Sequence, residues 1–156
     1  MDKKILVLCT GNSCRSQMAE GFLKSFDKSL IVCSAGTIPA QHVNETAVKV
    51  MNEVGIDISS NYPKSVDLYI NQQWDYVITV CDDANEKCPV FCGKVANRLH
   101  FPFEDPSNAV GSDEFINKEF KRVRDEIRVK LFRFYVDELM EKPSCACGAN
   151  DYCRCE

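Results

Sequence analysis

The stretch CTGNSCRSQMAEG, at positions 9–21, places a thiol and a guanidinium at the two ends of a short loop of small and polar residues. Cys9 follows an apolar run, and Arg15 lies six residues later, where a helical pattern begins. An arginine fork can hold two oxygens of a tetrahedral oxyanion, and loop N–H groups at a helix N-terminus add positive potential. The same field favours the thiolate form of a nearby cysteine. The pattern therefore predicts attack by the Cys9 thiolate on the central atom of a bound oxyanion.

The loop residues have separate expected roles. Gly11 permits a backbone conformation with positive φ, and Asn12 tolerates one as well. Ser16 can donate a hydrogen bond to the Cys9 sulfur, whereas Cys14 is expected to be a small packed side chain. Taken alone, Cys9 would more often be a buried residue ending a strand, but Cys-x5-Arg-Ser between a strand and a helix favours the anion site. The predicted oxyanion-binding loop consists of Thr10, Gly11, Asn12, Ser13, Cys14, Arg15 and Ser16.

The elements that must position this loop alternate along the chain. Apolar residues at helical spacing predict helices over 15–26, 44–54 and 112–140, the last with Ser112 as its N-cap. Short apolar runs predict strands at 4–8, 30–33, 76–80 and 98–101. This alternation predicts an α/β fold with a four-stranded parallel sheet flanked by helices, a Rossmann-like three-layer sandwich. Ligands of such sheets bind beyond the carboxyl ends of the strands, which is where the loop begins.

The composition limits the function classes. A chain of 156 residues suits one domain with one core, and its net charge of −4 gives no support to nucleic-acid binding. No apolar run approaches ~18 residues, and no export signal precedes the first strand, so we expect a cytoplasmic protein without a membrane span. Ten cysteines are many for such a protein. Without export, reactive or metal-binding thiols are a better explanation than a disulfide framework.

The chain divides into a main domain, 1–142, and a cysteine-rich C-terminal tail, 143–156. The tail has no apolar periodicity, and two Cys-x-Cys pairs supply possible ligands for a soft metal ion or for arsenite: Cys145, Cys147, Cys153 and Cys155. An additional thiol relay and a disordered tail without function are the alternatives. Four-thiolate zinc sites usually use Cys-x2-Cys pairs, which argues against zinc.

CTGNSCRSQMAEG resembles the phosphate-binding loop of the low-molecular-weight tyrosine phosphatase superfamily and, more narrowly, that of the thioredoxin-coupled arsenate reductases built on the same fold. Phosphatases of the group usually carry an apolar residue and a Pro where this chain has Ser13 and Gln17, which match the reductases. The resemblance covers nearly the whole chain except the tail, through SAGT at 34–37, TVCDDANEKCP at 79–89, FPFEDPSN at 101–108 and EFKRVRDEI at 119–127.

This resemblance implies a role for each residue of the first chemical step. Cys9 is the nucleophile, Arg15 the oxyanion clamp and Asp105 the general acid that protonates the leaving oxygen. Glu104 is a possible substitute for the acid. No aromatic residue follows the Asp-Pro pair, whereas phosphatases of the superfamily often have a Tyr there, and this argues against a tyrosine-phosphate substrate.

The resemblance also implies a relay of three thiols. Reducing arsenate needs two electrons, and the sequence contains no sign of a flavin, haem or dinucleotide site, so we expect no cofactor. Cys81 and Cys88 match the second and third thiols, which would take over the disulfide from Cys9 and pass it to thioredoxin. If 82–88 is helical when reduced, it rises about 10.5 Å, whereas a disulfide needs Cα atoms within ~7 Å, so this segment must unwind. Without Cys9 upstream, two ordinary buried thiols would be the better interpretation.

Three residues match positions that bind potassium in some reductases of this family: Asn12, Glu20 and Ser34. A Lys, at position 64, occupies the vicinity of the fourth ligand, which is an Asp in those reductases. Its ammonium is a candidate replacement for the ion, and a solvated loop residue is the alternative. We therefore do not predict a potassium requirement, and whether potassium binds or Lys64 replaces it is left open.

The main hypothesis is an arsenate reductase that acts on arsenate and is recycled by thioredoxin as a monomer. The first alternative is a low-molecular-weight tyrosine phosphatase, or hydrolase of small phosphoesters, that uses Cys9, Arg15 and Asp105. In that case Cys81 and Cys88 would protect the nucleophile from oxidation. A thiol-based oxyanion or metal sensor that binds without turnover is the alternative outside the enzymes.

Overall fold

A computed structural model describes residues 2–82 and 89–141. The predicted strands and helices are present within these ranges. The strands are β1 (Lys4–Cys9), β2 (Ile31–Gly36), β3 (Gln73–Thr79) and β4 (Lys94–His100). The α-helices are α1 (Arg15–Phe26), α2 (Glu45–Asn52) and α3 (Asp113–Phe134), and short 3₁₀ helices lie at Val66–Leu68 and Pro106–Asn108.

The four strands form one parallel sheet in the order β2-β1-β3-β4. The chain moves from β1 outward to β2 and then crosses back to β3 on the other side of β1. The carboxyl end of β1 is therefore the point where the strand order reverses, and parallel sheets bind ligands outside such a point. Cys9 is the last residue of β1, so the topology places it in this crevice.

The core explains why β1 is almost continuously apolar. One face of the sheet packs against apolar residues from all three α-helices, including Phe22, Met51 and Ile127. On the other face, sheet side chains that include Leu6 and Trp74 cluster with Phe91 within the described residues. A central parallel strand covered on both faces needs apolar side chains at every position, in agreement with the buried run after Lys4.

The sequence prediction of a four-stranded parallel α/β fold is confirmed, and the differences are local. β2 continues through Gly36 because it pairs with β1 as far as Cys9. A Cβ atom on Gly36 would lie 2.4 Å from the Thr10 carbonyl oxygen, so only glycine allows this close approach. The last helix begins after the predicted N-cap, Ser112, whose Oγ accepts from the Phe115 N–H, but its α-helical part ends at Phe134.

A single π-helical segment, Tyr135–Leu139, follows α3 where the sequence predicts further α-helix. There the Tyr135 ring packs against Phe26 and its hydroxyl donates to Asp27, which connects the end of α3 to the end of α1. None of the described helices is long and apolar enough to cross a membrane. The tail 143–156 and the proposed unwinding of 82–88 fall outside the described residues, apart from Asp82.

Candidate active site

Cys9 lies at the base of the loop, with an exposed fraction of 3%. Its sulfur accepts a hydrogen bond from the Asn12 N–H at 3.1 Å and lies 2.9 Å from Ser16 Oγ. The Asn12 amide donates to Ser16 Oγ at 2.8 Å, so the Ser16 hydroxyl proton is available for the sulfur. A sulfur that receives two donors is stabilised as an anion. The contact between Ser16 and the Cys9 sulfur that the sequence predicts is therefore present.

The loop presents its carbonyl groups to the protein rather than to a ligand. All five carbonyl oxygens of residues 10–14 accept hydrogen bonds, from Ile38 N, Ala40 N, Gln17 Nε2, Asn44 N and Met18 N respectively. Since these oxygens are engaged by protein donors, they are not left to repel a bound anion. The Thr10 hydroxyl is buried and has no hydrogen-bond partner among the described residues, which makes it a further polar group available at the loop.

Asn12 holds the loop together. It is fully buried and has a φ of 50°, and its amide group makes four hydrogen bonds. The nitrogen donates to Ser16 Oγ and Ser34 Oγ, and the oxygen accepts from Gln17 Nε2 and the Lys64 N–H. Of the two residues that the sequence allows to take positive φ, Gly11 and Asn12, the one that does so is Asn12.

Arg15 and Asp105 lie together. Arg15, the first residue of α1, is buried and donates from Nη1 to the Phe103 carbonyl at 3.1 Å. Its Nη2 lies 3.4 Å from Asp105 Oδ2. The other carboxylate oxygen, Oδ1, accepts from the N–H and hydroxyl of Ser107 at 2.9 and 2.6 Å. The structure thus positions the predicted acid beside the predicted clamp, and its proton transfer stays a prediction.

Glu104, the other candidate acid, forms an ion pair with α3 and not with Arg15. Its side chain is 68% exposed, and Oε2 lies 2.6 Å from Arg122 Nη2 on α3. Of the two neighbouring carboxylates, Asp105 forms an ion pair with Arg15, and Glu104 forms one with Arg122. The geometry favours Asp105 as the acid.

The residues matched to a potassium site have protein partners in this structure. Glu20 binds the Lys24 ammonium through Oε1 at 2.6 Å and accepts from Ser34 Oγ through Oε2 at 2.5 Å. Lys64 instead donates from Nζ to the Tyr62 carbonyl at 3.0 Å, and burial lowers its pKa. A lysine does provide the local positive charge, but Lys24 rather than Lys64 binds Glu20.

The two loop cysteines differ in their environment. Cys14 is buried at the N-cap of α1, and burial is the largest cause that raises the pKa of its thiol to about 12, with the charges of Asp105 and Cys9 acting in the same direction. Cys14 therefore stays neutral at physiological pH and acts as a packed side chain, as expected from the sequence. This leaves Cys9 as the loop cysteine that is arranged to react.

We expect Cys14 to resist alkylation in the native protein. At about pH 8 it should remain unmodified by iodoacetamide because only the thiolate reacts. Cys92, which is exposed and free, is the positive control within the same digest. Peptide mass mapping after brief labelling and after labelling in denaturant measures the difference. Native modification of Cys14 as fast as that of Cys92 would contradict this assignment.

The cysteines of the proposed relay are only partly described. Cys81 follows β3, is fully buried and is disulfide-bonded, whereas the other described cysteines, Cys9, Cys14, Cys33 and Cys92, are free. Cys88 lies outside the described residues. The four tail cysteines proposed as soft-metal or arsenite ligands, Cys145, Cys147, Cys153 and Cys155, also lie outside them. The described part of the chain contains no cluster of three or more potential metal ligands.

Two residues that support the site were not identified as such from the sequence. Gln17 is fully buried and bridges the loop to residues 61–62, donating to the Tyr62 carbonyl and accepting from the Asn61 amide. Lys24 neutralises Glu20 behind the loop. The i, i+4 spacing of Glu20 and Lys24 was a signal for their pairing. No sequence signal indicates the contacts of Gln17 with Asn61 and Tyr62, because these residues lie more than forty positions away.

Fold and loop together define a class of protein. The family model described as low molecular weight phosphotyrosine protein phosphatase matches residues 4–144, and the chain belongs to this family. Within it, the chain is similar to an arsenate reductase of Bacillus subtilis, with 48% identity over 136 residues, 86% of this chain and 96% of that protein.

Solved structures agree with this similarity. A structure described as an arsenate reductase in the phosphate binding state has a TM-score of 0.72 and 30% identity, and the match covers 86% of this chain and 97% of the other. A thioredoxin-dependent arsenate reductase of Corynebacterium glutamicum has a TM-score of 0.57 and 26% identity, over 86% of this chain and 63% of the other.

Proposed function

We propose that this protein reduces arsenate to arsenite with a relay of three thiols, Cys9, Cys81 and Cys88, and that thioredoxin regenerates it. We further propose that it acts as a monomer in the cytoplasm, since the described site needs no second subunit and free thiols suit a reducing compartment. The catalytic domain in this proposal is 1–142.

One observation carries the proposal: the Cys9 sulfur accepts the Asn12 N–H beneath an anion-binding loop whose carbonyl groups are all engaged elsewhere. This arrangement favours a thiolate directly below a bound tetrahedral oxyanion. The similarity to arsenate reductases indicates which oxyanion.

In the first step, the Cys9 thiolate attacks arsenic and an oxygen leaves as water or hydroxide. Arg15 and the loop N–H groups hold the remaining oxygens, and Asp105 supplies the proton to the leaving oxygen. The product is Cys9 bonded through sulfur to arsenic(V). No electrons have yet been transferred.

In the second step, the Cys81 thiolate attacks the Cys9 sulfur. The S–As bond breaks, its electron pair stays on arsenic, and arsenite leaves as arsenic(III) while a Cys9–Cys81 disulfide forms. The Cys88 thiolate then attacks Cys81 and releases the Cys9 thiolate. The thioredoxin dithiol finally reduces the Cys81–Cys88 disulfide, so two electrons enter for each arsenate reduced.

The redox pattern of the described cysteines supports this order. Cys9 is a free thiol while Cys81 is disulfide-bonded. In the proposed relay, that combination occurs after arsenite has left and the disulfide has moved away from the nucleophile.

The proposal predicts thiol-dependent turnover of arsenate. NADPH oxidation in the presence of thioredoxin and thioredoxin reductase should start on addition of arsenate and not of phosphate. Because the relay needs both later thiols, Cys81→Ser and Cys88→Ser should each lose sustained turnover. Cys92→Ser is the matched control, because this exposed free cysteine has no place in the relay and its loss should leave the rate unchanged.

A different result would identify the phosphatase alternative. That result is no arsenate-dependent oxidation of NADPH together with hydrolysis of p-nitrophenyl phosphate that survives replacement of Cys81 and Cys88. The cysteines would then need another explanation, and the loop would serve phosphate ester hydrolysis.

A further inference from the structure

The loop after β4 is attached to the rest of the protein on two sides. Towards the site, Arg15 binds the Phe103 carbonyl and Asp105. Towards α3, the Lys130 ammonium lies 4.8 Å from the centre of the Phe101 ring, and Arg122 binds Glu104. Glu104 and Asp105 are neighbours, so whatever fixes one restricts the backbone that carries the other.

Arg122 is itself held by α3. Its guanidinium binds Glu119 at 2.7 Å and Glu126 at 2.9 Å, which are three residues before and four residues after it on the helix. These two carboxylates orient the Arg122 guanidinium independently of Glu104. Nη2, which binds Glu119, also binds Glu104 at 2.6 Å.

The charges around this contact are unbalanced. One guanidinium faces the three carboxylates of Glu104, Glu119 and Glu126. These hydrogen bonds raise the pKa of Arg122 above its ordinary value. Removing the guanidinium would leave three negative groups together, and only Glu104 belongs to a loop that can move away from the helix. Because exposed ion pairs contribute little to global stability, we expect loss of this contact to affect the position of the loop more than the stability of the fold.

We propose that Arg122 is a positioning residue for the reaction: by holding Glu104 against α3, it keeps Asp105 beside Arg15 and the bound oxyanion. This inference rests on the proposed function in one respect, the role of Asp105 as the general acid. Arg122 itself does not contact the described oxyanion loop. Its effect is on the proton-transfer step and not on the affinity of the loop for an oxyanion.

The test compares Arg122→Met, Glu104→Gln and the double variant. Arg122→Met should lower kcat about 10- to 100-fold, since a small displacement of a reacting group has effects of this size. The dissociation constant for phosphate, measured by calorimetry, should stay within about twofold, because the loop and Arg15 are intact. Glu104→Gln should have a smaller effect, because its amide oxygen can still accept from Arg122.

The double variant separates positioning from a purely structural role. Glu104→Gln removes the loop's charge from the cluster, so adding it to Arg122→Met should restore about half of the lost activity on a logarithmic scale. A structural role within the helix would involve only Glu119 and Glu126, and Glu104→Gln would then restore nothing. Amide exchange of residues 101–105 should be faster in Arg122→Met and return towards the wild-type rate in the double variant.

Arg128→Met is the matched control, because Arg128 is exposed on the same helix and forms no ion pair with a described residue. It should change neither rate nor exchange. The same variants are assayed on p-nitrophenyl phosphate, whose hydrolysis also needs a proton donor at the leaving oxygen. A wild-type protein that hydrolyses p-nitrophenyl phosphate but does not reduce arsenate would overturn the proposed function. Equal kcat of wild type and Arg122→Met on every substrate that the wild type turns over would overturn the positioning role.

Discussion

Replacement of Cys9 by Ser should abolish arsenate turnover and preserve oxyanion binding. The Asn12 N–H and the Ser16 hydroxyl would donate to oxygen as they do to sulfur, so the loop keeps its shape. A serine hydroxyl is not ionised at neutral pH and cannot form the S–As bond from which the electrons are transferred. We expect the coupled NADPH assay to show a loss of at least about 10⁴-fold in kcat/KM. Calorimetry should give a phosphate affinity close to that of the wild type.

Cys14→Ala provides the matched control for Cys9→Ser. Both cysteines belong to the same loop and both are buried, but burial holds the Cys14 thiol in its neutral form. Its loss should cost packing and leave turnover within about tenfold of the wild type. Retention of turnover by Cys9→Ser, or an equal loss in both variants, would show that Cys9 is not the nucleophile.

Asn12→Ala should combine a large loss of stability with a large loss of activity. The variant loses all four hydrogen bonds of the buried amide, leaves the Lys64 N–H without its acceptor and places alanine at a φ of 50°. Together these effects predict a decrease in the free energy of unfolding of about 3–5 kcal/mol. Denaturant unfolding and the coupled assay measure the two effects.

Two further substitutions divide this effect into its causes. Asn12→Gly removes the same hydrogen bonds but tolerates the backbone conformation, so it should be about 1 kcal/mol more stable than Asn12→Ala. Asn12→Asp keeps the acceptor oxygen and loses both donors. It also adds a carboxylate next to Ser34, which already donates to Glu20. If Asn12→Ala unfolds at the same denaturant concentration as the wild type, Asn12 is not the residue that holds the loop.

The part of the site that could be predicted from the sequence is the part that is contiguous. Cys9, Arg15 and Ser16 lie within eight residues, so their types and spacing alone define an oxyanion loop. Which loop residue takes the left-handed conformation could not be decided in this way. Gly11 and Asn12 both permit it, and the choice of Asn12 follows from partners that β2 and residues around 64 supply.

Side-chain contacts between elements that are far apart in the chain could not be predicted from the sequence. The resemblance implied Asp105, but the binding of Glu104 by Arg122 depends on how α3 lies against the loop after β4. The choice of Lys24 over Lys64 as the partner of Glu20 likewise depends on how far each side chain reaches in the folded state. Strand and helix positions were more accessible, because apolar periodicity reports burial directly.

The site is assembled from regions of unequal local stability. The thiol ends the central strand β1, and its donors lie in the loop and helix that follow directly. The Phe103 carbonyl and Asp105, which bind Arg15, come after β4, 88 and 90 residues later in the chain than Arg15. β4 is the edge strand, and all seven of its residues are exposed or half-buried. Sub-global opening begins where buried apolar contact is lowest. A molecule that has released β4 would still hold the Cys9 loop but would lose Asp105, the proposed acid, so we expect catalytic competence to end at a lower free energy of opening than global unfolding.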